Sequence, residues 1–305
     1  MNSVCLKNYQ IDKFFDNTNY SMSKIFAWVN SDLDGIGSTV LLGNLFKNFE
    51  YRHCFFGKFE EQYLLWAKEN AEDYDKIFIV GMVLDQNLIK KIDDHRVVFV
   101  SDRPEDFKVW DSTMIQAECS SCTKLLYKKF KEKIEFTKNL KKFFLYVDDY
   151  NSYDLKHEET KYLNALYRKS GGNRFVNFVN RFWKGFDGFT ATEVTLAEGF
   201  FKELEKELGE ITLFTGEYEG AKVISTISKF SVNELSHSIM ENYQGDVVIV
   251  MNPDTQFVSF RKYKGSEIDI AKMAANLCDG GGGEWASGGK ITKEFLKFSE
   301  TLKEL

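Results

Sequence analysis

The residues with the most chemical content in this 305-residue chain lie in Asn30-Ser-Asp32-Leu-Asp34-Gly35-Ile-Gly37-Ser38. Two carboxylates two positions apart, in a loop between an apolar run and a helical pattern, can face one crevice, and carboxylate oxygens suit hard divalent cations. Gly35 and Gly37 allow close backbone approach at the helix start, where free N–H groups favour an anion. The same spelling also describes a turn with helix-capping aspartates, and Asp-x-Asp-Gly alone does not separate the two readings. A second segment runs Asp279-Gly-Gly-Gly-Gly283-Glu284-Trp-Ala286-Ser-Gly288-Gly289. Consecutive glycines such as Gly281, Gly282 and Gly283 expose N–H groups without obstruction and can cradle phosphate or carboxylate, with the planar fork of Arg261 as a clamp. Its alternative is a flexible loop joining a helix to an edge strand.

Periodicity places these residues. Lys24–Asn30 (KIFAWVN) reads as a strand and 36–49 as a helix, with Leu41, Leu42, Leu45 and Phe49 at helical spacing. The pattern recurs as strand 77–81, helix 85–93 and strand 97–101 ending at Asp102, and such alternation predicts a parallel sheet flanked by helices. Segments 124–142 and 158–183 read as helical, the second interrupted by SGGN at 170–173, and another amphipathic helix covers about 192–208. Beyond it, strands at 211–214, 221–227, 246–251 and 256–261 mix with helices near 231–242 and 267–277, a smaller α+β unit. The expected division is an α/β domain over 1–190, a linker helix over 191–210 and a C-terminal domain over 211–305.

Composition agrees with a two-domain folded protein: 43% hydrophobic and 28% charged residues exclude global disorder. The net charge of −6 argues against a surface that attracts nucleic acid everywhere, leaving room for a local basic groove. No apolar window approaches the ~18 residues of a membrane span, and MNSVCLKNYQIDKFF lacks a signal-peptide core, so no membrane association and a cytoplasmic address are expected. The five cysteines are then expected to be thiols, including Cys119 and Cys122, whose spacing has no second pair or histidine nearby. Pro104 and Pro253 are the only prolines.

Taken together, the Asp32/Asp34 loop and the glycine tract, in this order and at this separation, resemble the DHH phosphoesterase superfamily, closest to its RecJ-like and oligoribonuclease branch. The resemblance spans roughly 24–292 and includes the helical stretch EETKYLNALYRKSGGNRFVNFVNRF. It implies a larger α/β domain carrying two metal ions, a linking helix, and a smaller DHH-associated substrate-binding domain closing over a cleft. Residue by residue it implies losses. Asn30 stands where the first motif has a histidine, while Asp32 and Asp34 match. The second motif's bridging aspartate falls on Gly81, with Asp85 a helical turn too late. For the third motif, Asp94-His95-Arg96 precedes its strand, so position selects Asp102-Arg103-Pro104 and both motif histidines are gone. The fourth motif's aspartate is met by Asp149 or replaced by Asn151. In the C-terminal motif Glu284 replaces a histidine, while Gly281, Gly282, Gly283, Ala286 and Gly288 persist.

A two-metal phosphoesterase needs ions about 3.5–4 Å apart, joined by a bridging carboxylate. The expected metal set is therefore Asp32, Asp34, Asp102 and Asp149, holding Mn or Mg weakly or not at all, with Arg103 supplying positive charge in place of an ion. The expected substrate-binding set is Arg261, Gly281, Gly282, Gly283 and Glu284. The resulting expectation is a DHH-like pseudoenzyme that binds a phosphate-bearing ligand, either a nucleotide or a short oligonucleotide, or a protein partner. The alternative is an active Mn/Mg-dependent phosphodiesterase using Asp32, Asp34 and Asp102 in a rearranged site. A third reading is a subunit whose surface contacts a nucleic-acid-processing assembly. Lys124–Lys142 with Arg168, Lys169, Arg174 and Arg181 read either as a basic rim or as a solvated face, and Trp183, Phe186 and Phe189 as aromatics placed to stack on a base.

Overall fold

A computed structural model describes residues 22–103 and 108–305. Cys5 and Pro104 lie outside the described residues. The chain divides into two compact units, Met1–Glu198 and Gly199–Leu305.

In the first unit the elements run β1 (Lys24–Asn30), α1 (Leu33–Leu45), β2 (Asn48–Cys54), α2 (Phe59–Asn70), β3 (Lys76–Val80), α3 (Gln86–Ile92), β4 (Val97–Ser101) and β5 (Thr113–Gln116). Five helices follow: α4 (Cys122–Phe130), α5 (Lys138–Asn151), α6 (Glu158–Lys169), α7 (Arg174–Arg181) and α8 (Ala191–Glu210). The boundary between the units falls inside α8. The strands form a fully parallel sheet in the order β2-β1-β3-β4-β5.

Side chains alternate across a strand with period two, and here both faces are buried. Ile25, Ala27 and Val29 of β1, with Phe78, Val80, Val98 and Val100, face α1 and α4–α7. Phe26 and Trp28, with Ile77, Ile79, Val97 and Phe99, face Phe59, Tyr63 and Trp66 of α2 and Leu88, Ile89 and Ile92 of α3. That two-sided burial is what makes β1, β3 and β4 readable as continuous apolar runs. In contrast, β2 is the edge strand, and its sequence NFEYRHC alternates exposed and half-buried positions, so no apolar run announces it. The helix expected over 36–49 accordingly begins at Leu33, capped by Asp32, and stops at Leu45, because Phe46 turns extended to feed β2. The single helix expected over 124–142 is two, separated at 131–137, with the second capped by Thr137.

The strand order places a switch between β1 and β3: the chain leaves β1 toward β2 on one side and returns to β3 on the other. Open α/β sheets bind ligands in the crevice outside the carboxyl ends of the strands at such a point. Asn30 and the α1 start lie there, as does Gly81, immediately beyond β3.

The second unit contains β6 (Leu213–Tyr218), β7 (Ala221–Ile227), α9 (Val232–Asn242), β8 (Val247–Asn252), β9 (Phe257–Lys262), α10 (Ile270–Cys278), β10 (Gly281–Gly282), β11 (Ala286–Lys290), α11 (Lys293–Ser299) and β12 (Lys303–Glu304). Its seven-stranded sheet has the order β10-β11-β9-β8-β7-β6-β12, and only the β7–β8 pair is parallel. One face packs Met273, Ala274 and Leu277 of α10 and Phe295 of α11 against Val223, Val247, Ile249, Val258 and Phe260. The other packs Leu204 of α8 with Leu235 and Ile239 of α9 against Ile224, Val248 and Val250.

Candidate functional site

The site is built where β1 hands over to α1. Asp32 caps α1 by accepting the Gly35 N–H at 2.7 Å on Oδ1, while Asn30 Nδ2 donates to its Oδ2 at 2.5 Å. Asp34 sits in the first helical turn, 8% exposed. Its oxygens accept the N–H groups of Cys122 at 2.9 Å and Thr123 at 2.8 Å, the first residues of α4, and Thr123 Oγ1 returns a bond to the Asp34 carbonyl at 2.9 Å. A carboxylate at a helix N-terminus satisfies donors that have no partner within the helix. Asp34 thus fastens α4 to α1 as well as lining the crevice. Gly35 is needed for close packing here, since a Cβ on it would lie 1.9 Å from the Asn30 carbonyl oxygen.

Asp102 follows β4, and one oxygen each of Asp34 and Asp102 and the Cys122 Sγ all lie within 4.8 Å of one another. Sequence reasoning treated Cys122 as a structural thiol; it is fully buried and is a member of this group. Crowding buried acids together shows in their protonation. Burial first, and the Asp32 charge second, push Asp34 up to about 7. Burial also raises Asp32 above the usual carboxylate range, although part of its surface meets solvent, with the Gly35 N–H and Asn30 opposing. Asp102 is raised by burial and drawn back by the Arg103 charge. The Cys122 thiol is raised far above its ordinary value, again by burial first and then by Asp34.

Arg103 is exposed, and among the described residues no ion pair joins it to Asp32, Asp34 or Asp102. Its effect is Coulombic, on Asp102. Gly81 has no side chain and a φ of +65°; a Cβ there would stand 3.8 Å from Cys122 Sγ and 3.9 Å from Asn30 Cβ, facing the cluster.

The structure does not bring Asp149 to this group. Its carboxylate accepts the N–H groups of Lys156 and His157 at 3.1 Å each and the Thr160 hydroxyl at 2.8 Å, at the start of α6. Asn151 turns to the Ser120 carbonyl. The neighbouring Asp148 takes Lys124 Nζ at 2.7 Å and the Ser121 hydroxyl at 2.8 Å. Phe186 is core, 2% exposed, and Trp183 packs over Gly43. Arg181 is held by Glu193 and Asp187.

One histidine escaped the sequence reading. His53 ends up beside the Asp32 loop because β2 runs parallel to β1 with Val29 opposite His53 and Asn30 opposite Cys54, so both strands deliver their last residues to one edge. Its Nδ1 lies 3.0 Å from Ser31 Oγ. Tyr167 of α6 donates to the Ser31 carbonyl at 3.1 Å, and the Arg174 guanidinium lies 4.9 Å over the Tyr167 ring.

In the second unit the glycine tract is a hairpin strand. Gly281 pairs with Gly288 and Gly282 with Ser287, and the Gly283 N–H donates to Ala286 O at 2.9 Å. A Cβ on Gly282 would lie 2.5 Å from Ala286 O and Ser287 Cα, and one on Gly280 2.1 Å from Gly288 O. Arg261, opposite Ala286 in the ladder, gives Nε and Nη2 to Asn233 Oδ1 at 3.1 and 2.8 Å. Glu284 is exposed, 3.6 Å from Lys262 Nζ, which also lies 5.4 Å over the Trp285 ring.

These two units, a parallel α/β unit followed by a mixed-sheet unit, define a DHH-type fold. The solved structures it resembles include an exopolyphosphatase-related protein from Bacteroides fragilis (16% identity, 98% of this chain and 96% of that one, TM-score 0.55). Two others are the pGpG-specific phosphodiesterase PggH from Vibrio cholerae (13% identity, 91% and 96%, TM-score 0.55) and RecJ in complex with Mn2+ from Thermus thermophilus (11% identity, TM-score 0.59). The chain covers 54% of that RecJ, with 98% of its own length matched. No family profile and no curated protein matches the chain by sequence. Among the described residues, no helix is long and apolar enough to cross a membrane.

Proposed function

We propose that this chain keeps the DHH-type scaffold without two-metal phosphoester hydrolysis and acts by binding a phosphate-bearing ligand, a nucleotide or short oligonucleotide. The observation that carries this reading is Gly81. A bridged ion pair needs a carboxylate shared by both metals, and the position at the end of β3 that faces Asn30 and Cys122 has no side chain. The remaining donors, Asp34, Asp102 and Cys122, fit one ion better than a manganese or magnesium pair, with Asn30 offering only a neutral amide. The ligand class follows from fold neighbours that include a pGpG phosphodiesterase and RecJ, and from cations at the crevice edge, Arg174 over Tyr167 and Arg103 after Asp102.

The second reading, an Mn- or Mg-dependent phosphodiesterase with a rearranged site, draws on the same three-residue group. Turnover of bis(p-nitrophenyl) phosphate and of pGpG with Mn2+, for wild type and for Asp32→Ala with Asp34→Ala, separates the two. The binding reading expects no turnover above the double variant together with calorimetric binding of pGpG. Manganese-dependent turnover lost in the double variant would replace it with the enzyme reading.

A further inference from the structure

The donors that converge beyond β1 and β4 are not a set that a hard cation prefers. One oxygen each of Asp34 and Asp102 lies within 4.8 Å of the Cys122 sulfur and of the other, so one donor of the group is a thiol. Carboxylate and water suit magnesium and manganese, whereas thiolate selects softer ions, zinc among them. Burial points the same way. Cys122 is fully buried, Asp34 is 8% exposed and Asp102 is half-buried. Magnesium demands octahedral coordination and keeps several waters, for which two buried donors leave little room. Zinc is satisfied by four ligands, three of them from protein.

We propose that Asp34, Asp102 and Cys122 form a mononuclear site for a thiophilic divalent cation of the zinc type, with one position left to water or to a phosphate oxygen. The proposal goes beyond the ligand-binding reading and does not depend on it, yet it removes an electrostatic obstacle from that reading. A phosphate entering beside Asp34 and Asp102 meets like charge unless a cation stands between them. Gly81 supplies an independent observation. A Cβ there would stand 3.8 Å from Cys122 Sγ and 3.9 Å from Asn30 Cβ, with nothing nearer. The sulfur therefore borders the space that a carboxylate at the end of β3 would fill, and a thiol stands where that bridging acid is missing.

The acids also lack a protein counter-ion. Among the described residues no Lys or Arg forms an ion pair with Asp34 or Asp102, in contrast to Asp148, which has Lys124 Nζ at 2.7 Å. Buried acids without a partner carry a cost that a divalent ion offsets. The donors are held in place before any ion arrives. The Cys122 and Thr123 N–H groups reach the Asp34 carboxylate at 2.9 and 2.8 Å, and the Cys119 N–H donates to the Asp102 backbone carbonyl at 2.9 Å. The start of α4 is thereby tied to both acidic residues, and hydrogen bonds of this kind orient metal ligands. As the bond from Sγ to the ion forms, the thiol proton leaves to solvent, because a coordinating thiol is deprotonated outright. No electron is transferred.

The test uses the full chain, stripped with EDTA and then freed of chelator. Titration with Zn2+ against a chromophoric chelator should fill a single site per chain, with Mn2+ bound at least about 100-fold more weakly. Co2+ loaded in place of zinc should show the near-ultraviolet charge-transfer band of a cobalt–sulfur bond. Cys122→Ser removes that band and weakens zinc about 100-fold. Asp102→Asn, a change of nearly equal shape at the half-buried ligand, weakens zinc about tenfold and keeps the band at saturating cobalt, and Cys119→Ser changes neither reading. A wild-type cobalt complex without the band overturns the proposal, as does zinc held equally by Cys122→Ser with a native circular dichroism spectrum, or Mn2+ preferred to zinc. Calorimetry with pGpG is read separately. Zinc bound by a chain that ignores pGpG supports the site and counts against the ligand reading alone; pGpG bound by a chain that takes no zinc does the reverse.

Discussion

The end of the parallel sheet in the first unit and the glycine hairpin in the second read alike as sequence, each a short motif with an obvious binding chemistry, yet they are built on opposite principles. At Asp34, Asp102 and Cys122 the side chains converge, with the Asp32 charge close by, and the fold bears the cost of burying acids together, which pushes the Asp34 pKa up to about 7. At 280–289 four of the glycines leave no room for a side chain, since hypothetical Cβ atoms on Gly280, Gly282, Gly288 and Gly289 would all come within 2.6 Å of a neighbouring atom, whereas one on Gly281 would meet nothing within 4 Å. A cluster of unlike groups with perturbed protonation points to chemistry. A run of glycines whose N–H groups enter a ladder is first explained by packing.

The sharpest way to break that contrast is Asp34→Ala. It leaves the Cys122 and Thr123 N–H groups buried without acceptors and should cost about 3 kcal/mol in urea unfolding, on the scale of orphaned buried donors; a loss under half that would mean α4 is not held by Asp34. The same residue sets a pH dependence. Its folded pKa lies above the unfolded value of 3.8, so the native state binds the extra proton and stability falls as pH rises from about 4 through about 7, then levels. Unfolding in EDTA should therefore show roughly 2 kcal/mol less stability at pH 8 than at pH 5, and stability flat or rising across that range would remove the buried-acid account.

Gly282→Ala probes the other region. With φ at +151° and a Cβ 2.5 Å from Ala286 O, it should destabilise the second unit by about 2 kcal/mol. A stable Gly282→Ala protein that loses pGpG binding would instead make the tract a ligand cradle and erase the distinction. The smallest effect is expected from Asp149→Ala, about 1 kcal/mol for the lost hydrogen bonds to the Lys156 and His157 N–H groups and the Thr160 hydroxyl, with Mn2+ affinity unchanged; weakened metal binding would return Asp149 to the site.

What could be read in the sequence, and what could not, follows the same physics. Strands β1, β3 and β4 were legible because both of their faces are buried, and Asp32, Asp34 and Asp102 could be placed because they follow the ends of β1 and β4. The edge strand β2 was illegible, its NFEYRHC pattern half exposed, and with it went His53, whose proximity to Ser31 is a product of parallel register. Cys122 could be placed at a helix start, but its bond to Asp34 spans 88 positions, a distance that no local pattern encodes. Asp149 looked like a ligand, and its oxygens are engaged by the Lys156 and His157 N–H groups and the Thr160 hydroxyl. Arg261 looked like an anion clamp, and its guanidinium is engaged by Asn233.

The central claim is that the carboxylates beyond β1 and β4, with a glycine closing β3, do not assemble a bridged manganese pair. Titration of the full chain with Mn2+, followed by the electron paramagnetic resonance signal of the free ion, tests it directly. The account predicts at most one ion per chain, held weakly; two tightly bound ions per chain, both released by Asp32→Ala with Asp34→Ala, would contradict it.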